Sequence, residues 1–351
     1  MRPPIGPPLL VGDIGATNAR FAILEEAEGA ADGPPAFGHG RVLATEDYPT
    51  LKDAIVSYLD SENLAGNRPL VAAIAVASPV TGDQVSFTNH PWSFSVAALR
   101  RLLGLDRLIV INDFTANALA VPNLGPIGRL KVGGGEAVEG RTIGILGPGS
   151  GLGVAGLVWI GRAAADPSGP PATDLHDRVD GWIAVPGEGG HVTMAPANAR
   201  ESAVLDLMRR RFDHVSAERV LSGPGLVNLY NALAELDGVP AASYGPAQIA
   251  NQQIGESDPL AREALTMFCT MLGTVAGNLA LTLGARGGIY IAGGIVPRLG
   301  AVFAASPFRR RFEEKGRFSS YVAAIPTFVM THPTPAFLGL AALARQRGVE
   351  V

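Results

Sequence analysis

Two glycine-rich segments of this sequence have the composition of loops that hold phosphate groups. The first segment is GDIGAT at 12–17, and the second is GPGSGLG at 147–153. Small residues allow backbone N–H groups to point at anionic oxygens. One such segment alone is more often an ordinary hairpin turn, but two of matching pattern favour a site for a phosphorylated ligand. The candidate ligands are Gly12, Asp13, Ile14, Gly15, Ala16, Thr17, Gly149, Ser150 and Gly151.

Two aspartates match the other needs of phosphoryl transfer, which are a divalent metal and a base aligned with the accepting hydroxyl. Asp13 lies in the first glycine-rich segment, where its carboxylate can hold a magnesium ion through water. Asp113 follows the apolar run RLIVI at 107–111 and is the candidate base. Ligands of α/β sheets bind at the carboxyl ends of strands. The alternative is that Asp113 only caps the next helix, and its position alone does not decide between the two roles.

Polar residues in four other turns are candidates for binding sugar hydroxyls or a nucleotide. Asn112 offers both a donor and an acceptor, and Asn89 lies in the polar turn TNHPW at 88–92. Glu188 and His191 stand three residues apart in PGEGGH at 186–191, where half a metal site and a structural histidine are the alternatives. For Glu218 a capping or surface ion-pair role is favoured from the residues alone.

A glycine pair follows the short strand IYIA at 289–292. Gly293 and Gly294 would let the adenosine part of a nucleotide lie against the backbone. The alternative is that they only allow close packing of a helix on the strand.

A formal dinucleotide motif is present but lies in the wrong context. Residues 151–156 read GLGVAG and fit G-x-G-x-x-G. That motif requires a helix directly after it, whose N-terminus takes the pyrophosphate. Here the continuation VAGLVWI predicts a strand, which argues against a nicotinamide enzyme. A Gly-Lys-Ser/Thr sequence, as in a P-loop, is also absent.

The elements that must position these residues alternate between strands and helices, which indicates a layered α/β fold. The patterns predict hairpins over 9–24 and 142–160, with strands at 70–78, 107–111 and 289–292. Helices are predicted over 51–60, 115–121, within 201–236 and 259–285, and over 336–347. An offset of 134 residues superimposes the two hairpins, so an internal duplication with the carboxylate kept only in the first copy is favoured. Residues 162–181 are rich in Pro, Gly and Asp and predict an exposed insert.

Composition narrows the function classes. The chain has 351 residues, a net charge of −4 and the single cysteine Cys269. We therefore expect no nucleic-acid partner, no disulfide and a reducing compartment. The arginine trios at 209–211 and 309–311 are interpreted as solvated helix faces. We expect no signal peptide and no membrane span, because the apolar stretch at 271–285 is too short.

These motifs together resemble the bacterial glucokinase family, the branch of the actin-like ATPase superfamily that is distinct from the zinc-containing ROK kinases. The resemblance runs from about residue 9 to 345. The matching segments are LVGDIGATNARFA, ASPVTGD, TNHPWSFS, INDFTANALAVP, GSGLGVAGLV, PGEGGHV, HVSAERVLSGPGLVNLY and GGIYIAGGIVPR. Each segment alone is modest support, and all of them in this order are highly specific.

The resemblance implies an α/β, two-lobed actin-like ATPase (ribonuclease H-like) fold with a cleft between a small and a large domain. The small domain would comprise 1–112 plus 332–351, and the large one 113–331. The implied reaction is ATP-dependent phosphorylation of the glucose C6 hydroxyl to glucose 6-phosphate, feeding glycolysis in the cytoplasm, with Mg²⁺ as cofactor. A homodimer is an expectation of the same kind. Asp113 would be the base, and the implied glucose ligands are Asn89, Asn112, Asp113, Glu188, His191 and Glu218.

Three features bear on this resemblance. Ala16 stands where the family usually has glycine, and its methyl group is tolerable if φ is negative. The 162–181 insert is longer than in close relatives, and no zinc-binding cysteine cluster is present. The other hypotheses are a sugar-binding regulatory protein without catalysis and a nicotinamide oxidoreductase. Within the kinases, mannose as acceptor or polyphosphate as donor stays open.

Overall fold

A computed structural model of the protein describes residues 8–25, 35–62, 64, 68–88, 90–161 and 178–345. The chain divides into two compact units. Unit 1 falls within Met1–Gly125, Trp159–Val185 and His332–Val351, and unit 2 within Pro126–Val158 and Pro186–Thr331. These bounds differ from the predicted domains because residues 113–125 and 159–185 group with unit 1. The predicted mixed α/β class is confirmed.

The strands and helices of the described residues are as follows. The strands are β1 (Leu9–Ile14), β2 (Asn18–Glu25), β3 (Ala36–Ala44), β4 (Val71–Val76), β5 (Gln84–Ser86), β6 (Ser93–Ser95), β7 (Arg107–Asn112), β8 (Arg129–Lys131), β9 (Ile143–Pro148), β10 (Leu152–Trp159), β11 (Arg178–Val179), β12 (Trp182–Gly187), β13 (Gly288–Ile291) and β14 (Thr327–Met330). The helices are α1 (Leu51–Ser61), α2 (Val96–Leu103), α3 (Asp113–Ala120), α4 (Ala199–Arg209), α5 (Gly223–Asp237), α6 (Pro246–Ile249), α7 (Gln252–Ser257), α8 (Pro259–Leu283), α9 (Val296–Leu299), α10 (Ala301–Ala304), α11 (Phe308–Glu313), α12 (Ser319–Ala323) and α13 (Pro335–Arg345).

Unit 1 is built on a five-stranded sheet with the order β3-β2-β1-β4-β7. β1 and β2 form an antiparallel hairpin, while β1, β4 and β7 run parallel. Phe21 of β2 stacks on Tyr58 of α1 with ring centroids 5.2 Å apart, and both rings are fully buried. This apolar contact fixes α1 on the sheet, because buried aromatic pairs contribute both area and geometry.

Helices α3 and α13 also pack together within unit 1. At Gly339 of α13 an added Cβ would lie 2.0 Å from the carbonyl oxygen of Ala116 in α3. Only glycine therefore allows the two backbones to approach this closely. The helix that begins at Asp113 is thus held by a helix more than 200 residues further along the sequence.

Unit 2 contains the run β10-β9-β13-β14-β8 of a second sheet, whose full order is β11-β12-β10-β9-β13-β14-β8. Its hairpin β9–β10 is antiparallel, and β9, β13 and β14 run parallel. The run β10-β9-β13-β14 therefore repeats the run β2-β1-β4-β7 of unit 1 in order and direction. A shift of 134 residues converts the bounds of β1 and β2 into those of β9 and β10, as the predicted duplication requires.

The central helix of unit 2 is α8. It has 25 residues, close to the predicted helix over 259–285, so the argument that its apolar stretch is too short to span a bilayer is wrong. Among the described residues it is the helix long and apolar enough to cross a membrane, but 72% of its most apolar window is buried inside the structure, as in a core helix. Cys269 on α8 is buried, and burial raises the pKa of its thiol to about 12. Cys269 is therefore a buried core thiol.

The two arginine trios differ from each other. Arg209, Arg210 and Arg211 are exposed at the end of α4, as predicted. In the second trio, Arg311 is only 8% exposed, and its guanidinium lies 2.9 Å from the carboxylate of the buried Glu201. The prediction of a solvated face is therefore wrong for Arg311, because a distant carboxylate compensates its charge. It is also wrong for Arg309, whose side chain is only 11% exposed.

Part of the predicted insert lies outside the described residues. Residues 162–177 are not described, whereas 178–181 form β11 and a tight turn. In that turn Asp180 has φ 48° and Gly181 has φ 87°.

Candidate active site

The first glycine-rich segment is the turn of the hairpin β1–β2, here called hairpin 1 (9–25). The N–H of Gly15 donates to the carbonyl of Asn18 at 2.9 Å. Thr45, at the end of β3, holds the turn from outside: its hydroxyl donates to the carbonyl of Ala16 at 2.7 Å. Ala16 is not among the residues with positive φ, so its methyl group is tolerated in the turn.

Asp13 is the carboxylate within hairpin 1. Its Oδ2 lies 3.4 Å from Nη1 of Arg20, the residue opposite it on β2. Burial raises the pKa of the Asp13 carboxyl, and Arg20 opposes this shift. The side chain remains 27% exposed, so one face of the carboxylate can reach a ligand. Mg²⁺ is usually held by one or two carboxylates, water and substrate phosphates, and Asp13 fits that requirement.

Asp113 lies at the same edge of the unit 1 sheet as Asp13. The register pairs Ile14 with Val76, and Val76 with Asn112. Because β1, β4 and β7 are parallel, the residues beside Ile14 and Asn112 meet at the carboxyl edge, where α/β sheets bind ligands. The two aspartates predicted to serve metal and base therefore lie at the same edge of the sheet, on strands separated by β4.

The helix cap next to Asp113 is made by its neighbour. Oδ1 of Asn112 accepts from the N–H groups of Phe114 at 2.9 Å and Thr115 at 3.2 Å. Asp113 is the first residue of α3, and its Oδ1 also accepts from the N–H of Phe114 at 2.9 Å, so its carboxylate supports the cap that Asn112 makes. Nδ2 of Asn112 donates to the carbonyl of Ser78 at 3.3 Å and keeps a second hydrogen. That Asn112 binds a sugar stays a prediction. Because its Oδ1 already accepts two hydrogen bonds, Asn112 can bind a sugar hydroxyl only as a donor.

The second glycine-rich segment is the turn of the hairpin β9–β10, here called hairpin 2 (143–159). The N–H of Gly149 donates to the carbonyl of Gly151 at 2.7 Å. β10 continues as a strand through Trp159, so no helix follows the G-x-G-x-x-G motif. A dinucleotide-binding site at residues 151–156 is thereby excluded.

The glycine pair after β13 packs on hairpin 2. Gly293 has φ 81°, and an added Cβ there would lie 2.4 Å from the carbonyl oxygen of Pro148. A Cβ on Gly147 would likewise lie 2.4 Å from the carbonyl carbon of Ala292. By contrast, a Cβ on Gly294 would meet nothing within 4 Å. Gly293 therefore serves packing, while Gly294 borders open space next to hairpin 2.

Ser222 and Gly223, at the start of α5, were missed from the sequence as part of this arrangement. The N–H of Gly223 donates to the carbonyl of Gly149 at 2.8 Å. Ser222 is the N-cap of α5 and accepts from the N–H of Gly225 at 3.0 Å. The sequence SGPG contains a visible N-cap signal, serine followed by proline in the first turn, but nothing in it indicates the hairpin as a partner.

Glu188 and His191 form one exposed turn of unit 2. The N–H of His191 donates to the carbonyl of Glu188 at 3.0 Å, and their side chains are 60% and 62% exposed with 4.0 Å between Oε2 and Nε2. An added Cβ on Gly190 would lie 2.0 Å from the carbonyl oxygen of Leu152, so glycine lets this turn lie against β10. The described residues contain no group of three or more His, Cys, Asp or Glu side chains suited to a metal.

Glu218 also reaches hairpin 2. Its Oε2 accepts from the N–H of Leu152 at 2.8 Å. Ser216 caps the short 3-10 turn at Ala217–Arg219, so the interpretation of Glu218 as a cap or a surface ion pair is wrong. Unit 2 thus brings Glu188, His191 and Glu218 together around the start of β10.

Asn89 lies outside the described residues. Its neighbour Thr88 donates its N–H to Oγ of Ser78 at 3.0 Å, and Ser78 also contacts Asn112. Trp92 is 4% exposed and donates Nε1–H to the carbonyl of Tyr48 at 3.0 Å. Trp92 is therefore a core residue of unit 1.

Two glycine hairpins and an aspartate at a strand end are groups that phosphoryl transfer to a hydroxyl can use, and sugar kinases are one class of enzyme that carries out this reaction. The solved structure of a glucokinase from an Antarctic psychrotroph has the same fold, with a TM-score of 0.80, 34% identity and coverage of 97% of this chain and 99% of that one.

A sequence model of the glucokinase family matches residues 10–169 and 172–347. The chain is 50% identical over 335 residues to a glucokinase of Paramagnetospirillum magneticum, covering 95% of this chain and 97% of that protein. It is 48% identical over 341 residues to the bifunctional protein glk of Burkholderia pseudomallei, covering 97% of this chain but 49% of that protein. The chain thus spans about half the length of such bifunctional relatives. It belongs to the glucokinase family.

Proposed function

We propose that this chain is a glucokinase that transfers the γ-phosphoryl group of ATP to the C6 hydroxyl of glucose. The single observation that carries the proposal is the register that sets Asp13 and Asp113 at one sheet edge of unit 1. A relative named glucokinase at 50% identity supports the substrates.

Asp113 is the proposed general base. The rigid end of β7 and the capped start of α3 hold its backbone on both sides. A base so positioned accepts the proton of the C6 hydroxyl as the oxygen attacks the γ-phosphorus, and ADP leaves from the opposite side. The glucose hydroxyls are bound by Asn89, Asn112, Glu188, His191 and Glu218 in this proposal.

The nucleotide is proposed to lie on the two hairpin turns and beside Gly294. Backbone N–H groups in these turns hold the phosphate oxygens, since no side chain larger than Ser or Thr stands in either turn. Asp13 would hold Mg²⁺ through water, and the ion would neutralise negative charge on the phosphate oxygens. The fold that we propose for the whole is the actin-like ATPase fold, supported by the strand order repeated in both units. We also propose that the protein is a cytoplasmic homodimer that acts at the start of glycolysis.

Release of ADP from Mg-ATP tests this function directly. The reaction is run with glucose, mannose, fructose, N-acetylglucosamine and no sugar, and a second series replaces ATP with polyphosphate. We expect turnover that depends on glucose and ATP. Tight glucose binding without turnover would instead favour a regulatory protein. If the protein neither binds glucose nor turns it over, glucose is the wrong acceptor.

A further inference from the structure

The side chain of Glu218 makes a contact that a sugar ligand does not need. Its Oε2 accepts the N–H of Leu152 at 2.8 Å. Leu152 is the first residue of β10 and follows the turn Gly149–Gly151 directly. One carboxylate therefore lies against the backbone of hairpin 2 while it is also a proposed ligand of glucose.

The segment 218–223 holds the hairpin turn at both ends. At one end the Glu218 carboxylate binds the N–H of Leu152, and at the other the N–H of Gly223 binds the carbonyl of Gly149 at 2.8 Å. Within the segment, the hydroxyl of Ser222 donates to the carbonyl of Glu218 at 2.8 Å. Because these bonds link the two ends, a shift of Glu218 is passed to the turn rather than absorbed by the segment.

The carboxylate and the turn leave each other no free space. An added Cβ on Gly151 would lie 2.4 Å from Oε2 of Glu218, closer than any van der Waals contact. An added Cβ on Gly149 would have the N of Gly294 as its nearest neighbour, at 3.9 Å. Neither glycine has a positive φ, so alanine can adopt the backbone conformation at both positions. The two glycines therefore differ in their distance from the carboxylate.

We propose that Glu218 couples the two substrates: glucose bound to its carboxylate fixes the Leu152 amide and sets the turn of hairpin 2 for the phosphates of ATP. Such coupling is reciprocal, so the nucleotide strengthens glucose binding by the same factor. In this role Glu218 is a positioning residue for the nucleotide. The inference rests on the proposed function for the identity of both ligands.

The first test measures glucose affinity by calorimetry without nucleotide. Gly151→Ala pushes the carboxylate away, and we expect glucose to bind about tenfold more weakly, as for loss of a hydrogen bond to a charged group. Gly149→Ala is the matched control in the same turn, and its glucose affinity should stay within about twofold of the wild type. Equal affinities for the two variants would overturn the proposal.

The second test measures binding of the ATP analogue AMPPNP with Mg²⁺ and without sugar. Glu218→Ala leaves the N–H of Leu152 without its acceptor, and we expect affinity to fall about five- to tenfold. Glu218→Gln keeps an oxygen acceptor and should restore most of that affinity, which a general loss of folding would not allow. Glu188→Ala removes a proposed sugar ligand whose carboxylate has no hydrogen bond to hairpin 2 among those of the described residues, and it should leave AMPPNP binding within about twofold. An equal loss in the Glu188 and Glu218 variants would contradict the coupling.

The third measurement compares AMPPNP affinity with and without glucose in the wild type. We expect glucose to strengthen AMPPNP binding about fivefold or more, the lower range of allosteric coupling, and Glu218→Ala to abolish the effect. A wild type that phosphorylates glucose but shows no such effect would overturn the coupling alone. A wild type that binds no glucose would overturn the proposed function as well.

Discussion

Hairpin 1 and hairpin 2 have the same strands but are held in different ways. After the shift of 134 residues their strand bounds coincide, yet hairpin 1 pairs Ile14 with Ala19 while hairpin 2 pairs Pro148 with Leu152, so its turn is one residue shorter. Hairpin 1 carries its own carboxylate, Asp13. Hairpin 2 has glycine at the matching position, and its Leu152 N–H binds the carboxylate of Glu218, 66 residues further along the sequence.

The difference shows how one backbone design can take two roles. In hairpin 1 the space beside the strand end is occupied by the ionic side chain of Asp13, which can serve a metal. In hairpin 2 the same space is filled by the backbone of residues 292–293. Hairpin 2 therefore has glycine rather than a carboxylate where another segment packs, and its turn depends on residues distant in the sequence.

The largest expected effect lies next to hairpin 1. Asp113→Asn should lower kcat by at least about 10²-fold, the usual scale of general-base loss, with glucose affinity within a few-fold of the wild type. Steady-state kinetics and calorimetry measure the two quantities. Asp106→Asn, an exposed aspartate just before the same strand, is the matched control and should keep normal turnover. Near-normal kcat in Asp113→Asn would remove its assigned role.

Next in size is the effect of the carboxylate in hairpin 1. Asp13→Asn keeps the shape of the side chain but loses the charge, so we expect the Mg²⁺ concentration for half-maximal activity to rise about 10- to 100-fold, as for other groups around a metal. Titration of activity with Mg²⁺ at fixed ATP measures this. If the Mg²⁺ requirement is unchanged, Asp13 does not serve the metal.

At the matching position of hairpin 2 we expect loss of stability instead. Gly147→Ala places a Cβ 2.4 Å from backbone atoms of residue 292, and overpacking of this kind costs about 1–3 kcal/mol. Urea unfolding followed by circular dichroism measures the change. Gly134→Ala, where a Cβ meets nothing within 4 Å, is the control. A Gly147→Ala protein as stable as this control would refute the close packing.

The smallest effect concerns the outside support of hairpin 1. Thr45→Val removes the hydroxyl that donates to the Ala16 carbonyl at 2.7 Å and should lower the free energy of unfolding by about 0.5–1.5 kcal/mol. Thr45→Ser keeps the hydroxyl and should lose less. The same urea unfolding measures both, and a larger loss in the serine variant would show that the methyl group matters more than the bond.

The sequence was sufficient for features governed by local pattern. Both hairpins, the strand before Asp113 and the strand after Gly151 follow from apolar spacing and glycine position, and the offset between the hairpins is visible by alignment. Which of Asn112 and Asp113 caps α3 was not predictable, because both residue types favour that position.

Contacts between distant residues could not be predicted. The interpretation of Glu218 failed because its partner, the amide of Leu152, is a backbone group that carries no sequence signal. The burial of Arg311 depends on Glu201, 110 residues earlier. Both residue types are usually exposed, so composition favoured the surface in each case until the tertiary partner was known.

The contact between Gly339 and Ala116 has a consequence for the making of this protein on the ribosome. α13 is synthesised after every residue of unit 2, yet it packs on the helix that begins with the proposed base. At a synthesis rate of about 5–20 residues per second, α3 emerges more than 10 s before its packing partner. The apolar face of α3 therefore stays without this partner during that interval, and unit 1 cannot complete its packing until α13 has been made.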